Sequence, residues 1–569
     1  MIKNNSLWKI INILMFALAA ALLLWRIRLG AADAFVCPDE AFYLALPYRM
    51  SFGDLLFYEE TNLAQLMAFI TFPFMKLWLL LRGGTDGIVL SYRFIWLAVH
   101  CLNSLILFFA LRRKYPRAAM FAAVCYMLSV PFNIYAMSYN TIQLMAVVFI
   151  CVSYYGAYQS RMLDYLRGLL LAAAVLCNPF NIIIYAALLL TALLRRGESE
   201  KAYPGVRSIL RIHGGIAVLA AAVLAYFLIS MQIRGISLSD FADNFLFILS
   251  SDETGHLNVS AMTYIQNKLG FITLFHENFP LFLPLYLLTL AAGLIYKKAG
   301  KLCLRVVVLL TAAFCAYASL AMRNNYVLMF PAFLGLGVFV LDRSNLKGKS
   351  FLPWLIALLF ALSVNLSSDN KLDAVSWAMI PCGILSILLL CESVENEPKS
   401  TGETKLGSFI RAHLFEAVCM ALIALLAFHT TYVFQDAGFS ELDTRLERGP
   451  LSGIVTTAQR ADYYNSALDV YESVELSEND RVLSYPTLAV DLLILKRECC
   501  SPSAWYFPAP EDFNEGRYYS RHPDKLPTVV FVNNDMTQKV SYWEFSEWLE
   551  ENYSVDSQAG SYTVFRKQP

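Results

Sequence analysis

Charged residues are scarce in this chain. Asp, Glu, Lys and Arg make up only 16% of its 569 residues, and 57% of the residues are hydrophobic. Soluble domains carry about 25% charged residues. The 45 basic and 45 acidic residues cancel, so no polyanionic partner is indicated, and no nucleic-acid-binding motif is present. These deficits exclude an ordinary soluble enzyme and indicate an integral membrane protein.

Disulfide, metal and repeat signatures are also missing. The 12 cysteines are scattered through mostly apolar segments, with no metal-ligand spacing and no disulfide framework. Involvement of a divalent metal stays open, because the sequence offers no ligand set. No internal repeat is seen, which argues against a transporter built from inverted repeats.

The sequence instead contains long apolar runs, and about thirteen of these runs are long enough to span a membrane. They lie near residues 8–29, 88–111, 118–136, 140–159, 166–178, 179–194, 209–232, 279–296, 302–322, 325–341, 351–366, 372–391 and 410–432. We interpret the first run as a retained helix, although a cleaved signal peptide would also fit its composition.

The run 64–81 decides the predicted orientation. If it does not span, the basic loops that follow residues 111, 159, 194, 296 and 341 all lie in the cytoplasm, as the positive-inside rule requires. If it spans, all of them lie outside. We therefore expect an interfacial or re-entrant helix at 64–81 and a cytoplasmic N-terminus, in a plasma (inner) membrane.

The predicted fold class is an all-α polytopic membrane protein with a small extracytoplasmic α/β domain at its C-terminus. The membrane domain covers residues 1–432, with outer loops at 30–87 and 234–279, and helical pieces are expected near 39–50 and 63–81. The polar segment 433–569 forms the second domain. Its patterning predicts strands at 481–485, 528–532 and 562–566 and helices at 463–473 and 542–551.

Asp39 and Glu40 are the leading candidates for chemistry. They are adjacent carboxylates just beyond the first span, within the stretch Cys-Pro-Asp-Glu-Ala-Phe-Tyr. Ionisable groups at a membrane boundary are costly and often functional. Two neighbouring carboxylates also resist ionising together, which tends to raise one pKa and suits a general base. A helix N-terminus would favour the same residues through its dipole.

Other polar residues of the outer face are candidates for binding substrate. The first outer loop is rich in groups that can hydrogen-bond to or stack on a sugar: Tyr43, Arg49, Tyr58, Glu59, Asn62 and Gln65. Interfacial aromatics and snorkelling charges explain the same residues. Candidates elsewhere are Arg93 in the second span, Asn140 in an outer turn, and Arg323 with Tyr326 between two spans. An arginine at the bilayer surface is suited to binding phosphate.

This arrangement resembles the C-type (GT-C) glycosyltransferases that use polyprenyl-phosphate sugars, such as the protein O-mannosyltransferases and the lipid A aminoarabinose transferases. The resemblance covers the layout of the whole membrane part, and it is specific at a few positions: Asp39-Glu40, Tyr43, Arg93, Arg323, Tyr326 and Pro331. It implies that Asp39 is the catalytic base, with Glu40 as its acidic neighbour, and that Arg323 binds the lipid phosphate. The implied partners are a polyprenyl-phosphate sugar donor, membrane lipid and an extracytoplasmic glycan, lipid or protein acceptor.

Three other functions fit the same composition. A flippase would move lipid-linked glycans without forming a bond. A polysaccharide polymerase or ligase would place its catalytic loop at 234–279, with His256 and His276. A non-enzymatic scaffold would need no carboxylate pair. Substitution of Asp39, compared with substitution of the histidines, separates these hypotheses.

Overall fold

The computed structural model describes most of the chain. The described residues are 5–30, 38–155, 160–194, 204–250, 260–296, 300–321, 326–341, 350–395, 405–431, 437–507, 515–537 and 543–568.

The first described element is an apolar helix, α1 (Asn5–Arg26). Two helices follow, α2 (Pro38–Ser51) and α3 (Ala68–Arg82), within residues 30–87, the predicted first outer loop, which we call the outer loop below. The two helical pieces predicted in this loop are thus confirmed. Helix α3 packs along α2, and Lys76 Nζ donates to Ser51 O over 2.9 Å. Fifteen residues rise about 22 Å, which is shorter than the roughly 30 Å hydrocarbon core. The interfacial position of α3 stays a prediction.

Six helices follow the outer loop. They are α4 (Ile88–Leu111), α5 (Ala118–Met127), α6 (Tyr139–Tyr155), α7 (Arg161–Cys177), α8 (Ile182–Leu194) and α9 (Val206–Arg234). The span predicted at 118–136 is interrupted, because α5 ends at Met127 and a short 3₁₀ turn forms at Pro131–Asn133. Pro131 has no N–H to continue a helix. The irregular backbone places Asn133 Nδ2 3.0 Å from His429 O.

The second predicted outer loop, 234–279, is largely helical. It contains α10 (Leu238–Ser250) and α11 (Ala261–Asn278). The side chains of Phe247 and Ile248 on α10 are buried with Leu483 and Tyr518 of the C-terminal region. No helix was predicted within this segment, because the partner that covers the apolar face of α10 lies more than two hundred residues away in the sequence. The position of the segment outside the membrane stays a prediction.

Seven more helices complete the membrane part. They are α12 (Phe282–Ile295), α13 (Gly300–Ala321), α14 (Met329–Leu341), α15 (Phe351–Ser367), α16 (Lys371–Ala378), α17 (Ile380–Glu395) and α18 (Lys405–Thr430). Helices α11 and α12 meet at a 94° bend, and α16 and α17 at a 43° bend.

Within the described residues, three helices are long and apolar enough to cross a membrane, or up to five segments if each bent pair is one span. Shorter apolar helices surround them. The chain is therefore a multi-pass membrane protein, and the count of thirteen spans stays a prediction.

The C-terminal region is an α/β unit. Its helices are α19 (Ala458–Ser473), α20 (Ala489–Leu495), α21 (Glu515–Arg521), α22 (Asn534–Thr537) and α23 (Trp543–Asn552). Its strands are β1 (Thr444–Arg445), β2 (Val455–Thr456), β3 (Val482–Tyr485), β4 (Thr487–Leu488), β5 (Tyr506–Phe507), β6 (Val529–Asn533), β7 (Tyr553–Ala559) and β8 (Tyr562–Lys567). The largest sheet in the described part has the order β3-β6-β8-β7, with β3 and β6 parallel and the other pairs antiparallel.

The predicted strands at β3, β6 and β8 and the predicted helices at α19 and α23 are confirmed. Strand β7 was not predicted, because most of its side chains are polar and face solvent at the edge of the sheet.

The α/β unit docks on the membrane part through a short segment, residues 449–455, which we call the docking segment. Its backbone accepts a hydrogen bond from Gly87 N at Gly449 O over 2.9 Å. At its other end, Gly30 N donates to Val455 O and Val455 N donates to Arg28 O, both over 2.8 Å. The docking segment therefore holds the chain that follows α1 against the start of α4.

Candidate active site

Asp39 lies in the first turn of α2 and is half-buried. Within the described residues its carboxylate makes no hydrogen bond and no ion pair. Burial raises the pKa of Asp39 to about 6 because removal from water penalises the charged form. A carboxylate with this pKa is ionised at neutral pH and is a stronger base than an ordinary Asp.

Glu40 forms an ion pair with Arg93. Its Oε1 accepts from Arg93 Nε over 2.6 Å and its Oε2 accepts from Arg93 Nη2 over 2.5 Å, with both side chains buried. Such a bidentate pair fixes both groups in orientation. Adjacent in sequence, Asp39 and Glu40 therefore differ in role, and only Asp39 is available to accept a proton.

Arg93 uses its other donors on the backbone that follows α1. Nη1 donates to Ile27 O over 2.9 Å and to Leu29 O over 3.4 Å, and Nη2 donates to Gly30 O over 2.8 Å. Carbonyls at a helix C-terminus lack intrahelical partners, and a guanidinium satisfies them. All three nitrogens of Arg93 are thus engaged within the protein. Its predicted contact with substrate stays untested, and the structure shows it positioning Glu40.

Tyr43 and Asn140 are brought to Asp39 by a residue that sequence reasoning did not select, Tyr139. The rings of Tyr43 and Tyr139 meet edge to face, with centroids 5.3 Å apart. Tyr139 also hydrogen-bonds with the side chains of Tyr43 and Asn140, and lies within electrostatic range of Asp39. Tyr43 is four residues from Asp39 and shares its helix face. Two predicted site residues, Tyr43 and Asn140, are therefore linked through Tyr139 to the surroundings of Asp39.

A second buried guanidinium lies nearby. Arg26, in the last turn of α1, donates from Nε to Thr430 O over 3.0 Å and from Nη1 to Leu29 O over 2.7 Å. Its Cζ lies 4.8 Å from the ring centroid of Tyr135. These contacts tie the end of α1 to the end of α18. The sequence analysis did not select Arg26.

Arg49 and its neighbours form a different structure, a buried ionic network. Arg49 Nε donates to Asp54 Oδ2 over 2.7 Å, Nη1 to Glu60 Oε2 over 2.8 Å, and Nη2 to Glu59 O over 2.8 Å. The side chain of Arg49 is 1% exposed. Its guanidinium is therefore enclosed by the outer loop itself.

The same network reaches into the C-terminal unit. Lys525 Nζ lies 2.5 Å from Asp54 Oδ1 and 2.7 Å from Glu498 Oε1. Burial alone would lower the pKa of Lys525, but the carboxylate of Asp54 raises it above its ordinary value. Ala504 N donates to Glu60 Oε2 over 2.8 Å, so backbone as well as side chains join the two parts.

Glu59, Tyr58, Asn62 and Gln65 also have intramolecular partners. Glu59 is fully buried and pairs with Arg234, and the ring of Tyr58 lies 4.9 Å from that of His522. Asn62 Oδ1 accepts from Ala64 N. Gln65 is buried and bridges Phe57 N and Glu60 O. The sugar contacts predicted for these residues and for Arg49 stay untested, and the structure shows them joining the outer loop to its surroundings.

The remaining candidates lie elsewhere. The Tyr326 hydroxyl donates to Asp373 at the start of α16, and Tyr326 is 4% exposed. Arg323 and His256 lie outside the described residues. His276 is exposed on α11. In the described part of the chain no three His, Cys, Asp or Glu residues cluster as a metal site.

No protein-family model matches the chain, and no curated protein matches it. Among solved structures, the chain is similar to ArnT from Cupriavidus metallidurans bound to undecaprenyl phosphate, with a TM-score of 0.48 and 13% identity over 97% of both chains. It is also similar to the archaeal oligosaccharyltransferase AglB from Archaeoglobus fulgidus, in complex with an inhibitory peptide and a dolichol-phosphate. That TM-score is 0.42 with 12% identity, over 98% of this chain and 74% of the other.

Proposed function

We propose that the protein is a membrane glycosyltransferase that moves a sugar from a polyprenyl-phosphate donor to an extracytoplasmic glycan, lipid or protein. The observation that carries the proposal is the half-buried carboxylate of Asp39, which has no partner among the described residues and lies next to the Glu40–Arg93 ion pair. The resemblance of Asp39-Glu40 and Tyr43 to the C-type glycosyltransferases supports it.

The reaction needs one base. Asp39 accepts the proton of an acceptor hydroxyl as its oxygen attacks the anomeric carbon, and the bond from that carbon to the phosphate oxygen breaks. Polyprenyl phosphate leaves with the bonding electron pair. Because phosphate is a good leaving group, no general acid is required, and a single displacement inverts the sugar carbon, as in inverting glycosidases.

The departing phosphate needs a cation. Arg26 and Arg93 are engaged with backbone carbonyls, and Arg93 also with Glu40. The resemblance assigns phosphate binding to Arg323. The first turn of α2 carries two carboxylates, and that of Glu40 is paired with Arg93. The carboxylate of Asp39 is therefore the one that a divalent metal could bind. No step of the proposed reaction depends on a metal.

Substitution of Asp39 in the full-length purified protein tests the proposal. Asp39→Asn keeps size and hydrogen bonding but removes the base, so we expect turnover to fall about 10²–10⁴-fold. Asp86→Asn is a matched control, because Asp86 is an exposed carboxylate of the same outer loop that pairs with Lys496. The assay measures release of polyprenyl phosphate from a panel of polyprenyl-phosphate hexoses and pentoses, with membrane lipid, glycan and protein fractions as acceptors.

The outcomes separate the alternatives. Near-wild-type turnover by Asp39→Asn would remove Asp39 from the mechanism. Transfer that survives Asp39→Asn but is lost on substitution of His256 or His276 would favour a polymerase or ligase. Movement of the lipid-linked sugar across a vesicle bilayer without a new glycosidic bond would favour a flippase.

A further inference from the structure

A cavity rich in arginine lies at the far end of the bundle from Asp39. It has a volume of about 280 Å³, and its charged lining comes from Arg161, Asp164 and Arg167 on α7 and from Arg207 and Arg211 on α9. Helix α6 runs from Tyr139, beside Asp39, to Tyr155 at this cavity. Seventeen residues rise about 25 Å, so the two sites are separate.

The cavity exists because α7 and α9 cross closely. A Cβ on Gly168 would overlap the carbonyl oxygen of Ile212, and a Cβ on Gly215 would overlap that of Tyr165. Glycine at these two positions lets the backbones approach, as small residues do where membrane helices touch. The crossing brings the first two turns of both helices, with four arginines, to one place.

Two of the four guanidinium groups have protein partners. Arg167 donates from Nη1 to Asp164 Oδ1 over 2.8 Å and from Nε to Ser153 Oγ over 2.7 Å. Arg211 Nε donates to Asp164 Oδ2 over 2.9 Å. Asp164 is the one carboxylate among the described residues that line the cavity, and both of its oxygens accept hydrogen bonds from these arginines.

The other two arginines have no protein partner in the described part of the chain. Arg161 and Arg207 line the cavity and are exposed, and neither has a hydrogen bond or ion pair within the described residues. Their helices begin here, α7 at Arg161 and α9 at Val206, so both positive helix ends face the same space. Among the described residues, positive charge in this cavity is therefore in excess, with four arginines around one carboxylate.

We propose that this cavity binds the phosphate group of an anionic ligand. Guanidinium groups match phosphate oxygens in geometry, and helix N-termini add N–H donors and a favourable dipole. A role in orienting the chain explains why basic residues are present. It does not explain why two helices converge and bring four arginines around one carboxylate.

A neighbouring groove favours a lipid as the source of that phosphate. It has a volume of about 150 Å³ and is lined mainly by apolar side chains, among them Ile106, Val148 and Phe149. Ser153 lines this groove, and its hydroxyl accepts the hydrogen bond from Arg167, which lines the arginine cavity. Basic pockets between membrane helices bind anionic head groups in this way. A soluble phosphate compound would use the cavity alone.

Binding is tested on the full-length protein in nanodiscs of phosphatidylcholine with phosphatidic acid, by native mass spectrometry of retained lipid. The test variant is R161Q/R207Q, which leaves the buried Arg167–Asp164 pair in place. The control is R112Q/R113Q, two exposed arginines that line neither cavity. R161K/R207K keeps the charge without the bidentate geometry. Inorganic phosphate is titrated separately, with thermal shift as the readout.

We expect wild type and control to retain phosphatidic acid over phosphatidylcholine, and R161Q/R207Q to lose about tenfold in retention for each guanidinium removed, with partial recovery in R161K/R207K. Displacement of the lipid by millimolar phosphate, with a thermal shift that R161Q/R207Q loses, would identify a soluble phosphate compound as the ligand. Equal retention of phosphatidic acid and equal response to phosphate in wild type and R161Q/R207Q would overturn the proposal.

Discussion

Arg93 holds Glu40 in a bidentate ion pair of 2.6 and 2.5 Å while its remaining donors bind three backbone carbonyls after α1. The carboxylate of Glu40 therefore neutralises the positive charge of Arg93, so that this charge does not act on Asp39. A free guanidinium beside Asp39 would lower its pKa and weaken it as a base. Closure of the Glu40–Arg93 pair therefore leaves Asp39 with the pKa of about 6 that burial produces.

The first prediction concerns the pH dependence of turnover. Asp39 accepts a proton only when ionised, so kcat should rise with pH with a midpoint near 6. The raised pKa also means that the folded protein binds this proton more tightly than the unfolded chain, whose Asp titrates near 3.8. The contribution of Asp39 to the free energy of unfolding thus falls as pH rises through this window.

Kinetics and thermal unfolding between pH 4.5 and 8 check both parts. Asp39→Asn should unfold at an equal or higher temperature than wild type above pH 6, because a buried charge is removed. An acid limb with a midpoint near 4 would contradict the raised pKa.

The second prediction concerns Glu40. Glu40→Gln leaves the guanidinium of Arg93 buried without its counter-charge, and breaking a buried pair costs about 3–5 kcal/mol. It also exposes Asp39 to an unbalanced positive charge, so the midpoint of the kcat–pH profile should move below 6. A purely structural role for Glu40 predicts lower stability with an unmoved midpoint. Asp86→Asn is again the control, and neither quantity should change in it.

The sequence alone pointed to Asp39 and Glu40 but could not say which of them is free. That choice depends on Arg93, 53 residues away, and on the three carbonyls that orient it. Arg49 and Glu59 belong to an ionic network that the sequence did not predict. Glu59 pairs with Arg234, and Asp54, the partner of Arg49, also pairs with Lys525. Arg234 and Lys525 come from distant segments that periodicity cannot place.

The third prediction concerns Gly449 in the docking segment. Its φ is +70°, and a Cβ would lie 2.5 Å from the hydroxyl of buried Tyr464. Gly449→Ala should therefore lower the unfolding temperature and, by displacing the backbone that binds after α1, reduce turnover per folded molecule. Gly235→Ala is the matched control, with a similar φ of +68° and no atom within 4 Å.

We expect Gly235→Ala to cost only the backbone strain of about 1–2 kcal/mol and to keep wild-type turnover. Equal effects of the two substitutions on unfolding temperature and on turnover would show that the docking segment does not act on the site.

The fourth prediction concerns topology. A cysteine at Gly84 should react with a membrane-impermeant maleimide added to intact cells, and a cysteine at Arg113 should react only after the membrane is opened. Apart from half-buried Cys101, the described cysteines are buried, and the parent chain, labelled in parallel, gives the background. Labelling of Arg113→Cys from outside would reverse the predicted orientation and make the segment at 64–81 a span.

Apolar runs and strand patterns predicted most element positions, because burial in lipid or in a sheet imposes a local period. Strands β3, β6 and β8 and helix α4 lie within one or two residues of their expected bounds. Helix α10 was not predicted, and of its polar residues Asn244 lies on the buried face, whereas Asp240 and Asp243 are exposed. Asn244 caps the carbonyls of Phe57 and Tyr58 instead of facing water, a partnership that only the folded chain reveals.

The ion pair between Lys525 and Asp54 has a consequence for how the protein can change over generations. Each charge is almost completely buried and is compensated by a residue at the other end of the chain. Loss of either one leaves its partner with a single ion pair, Asp54 with Arg49 or Lys525 with Glu498, at a cost in stability. Paired changes at the two positions are therefore favoured over single ones. The C-terminal unit is thus inherited with its outer loop, and exchange of that unit between distant homologues would bring a lysine without its aspartate.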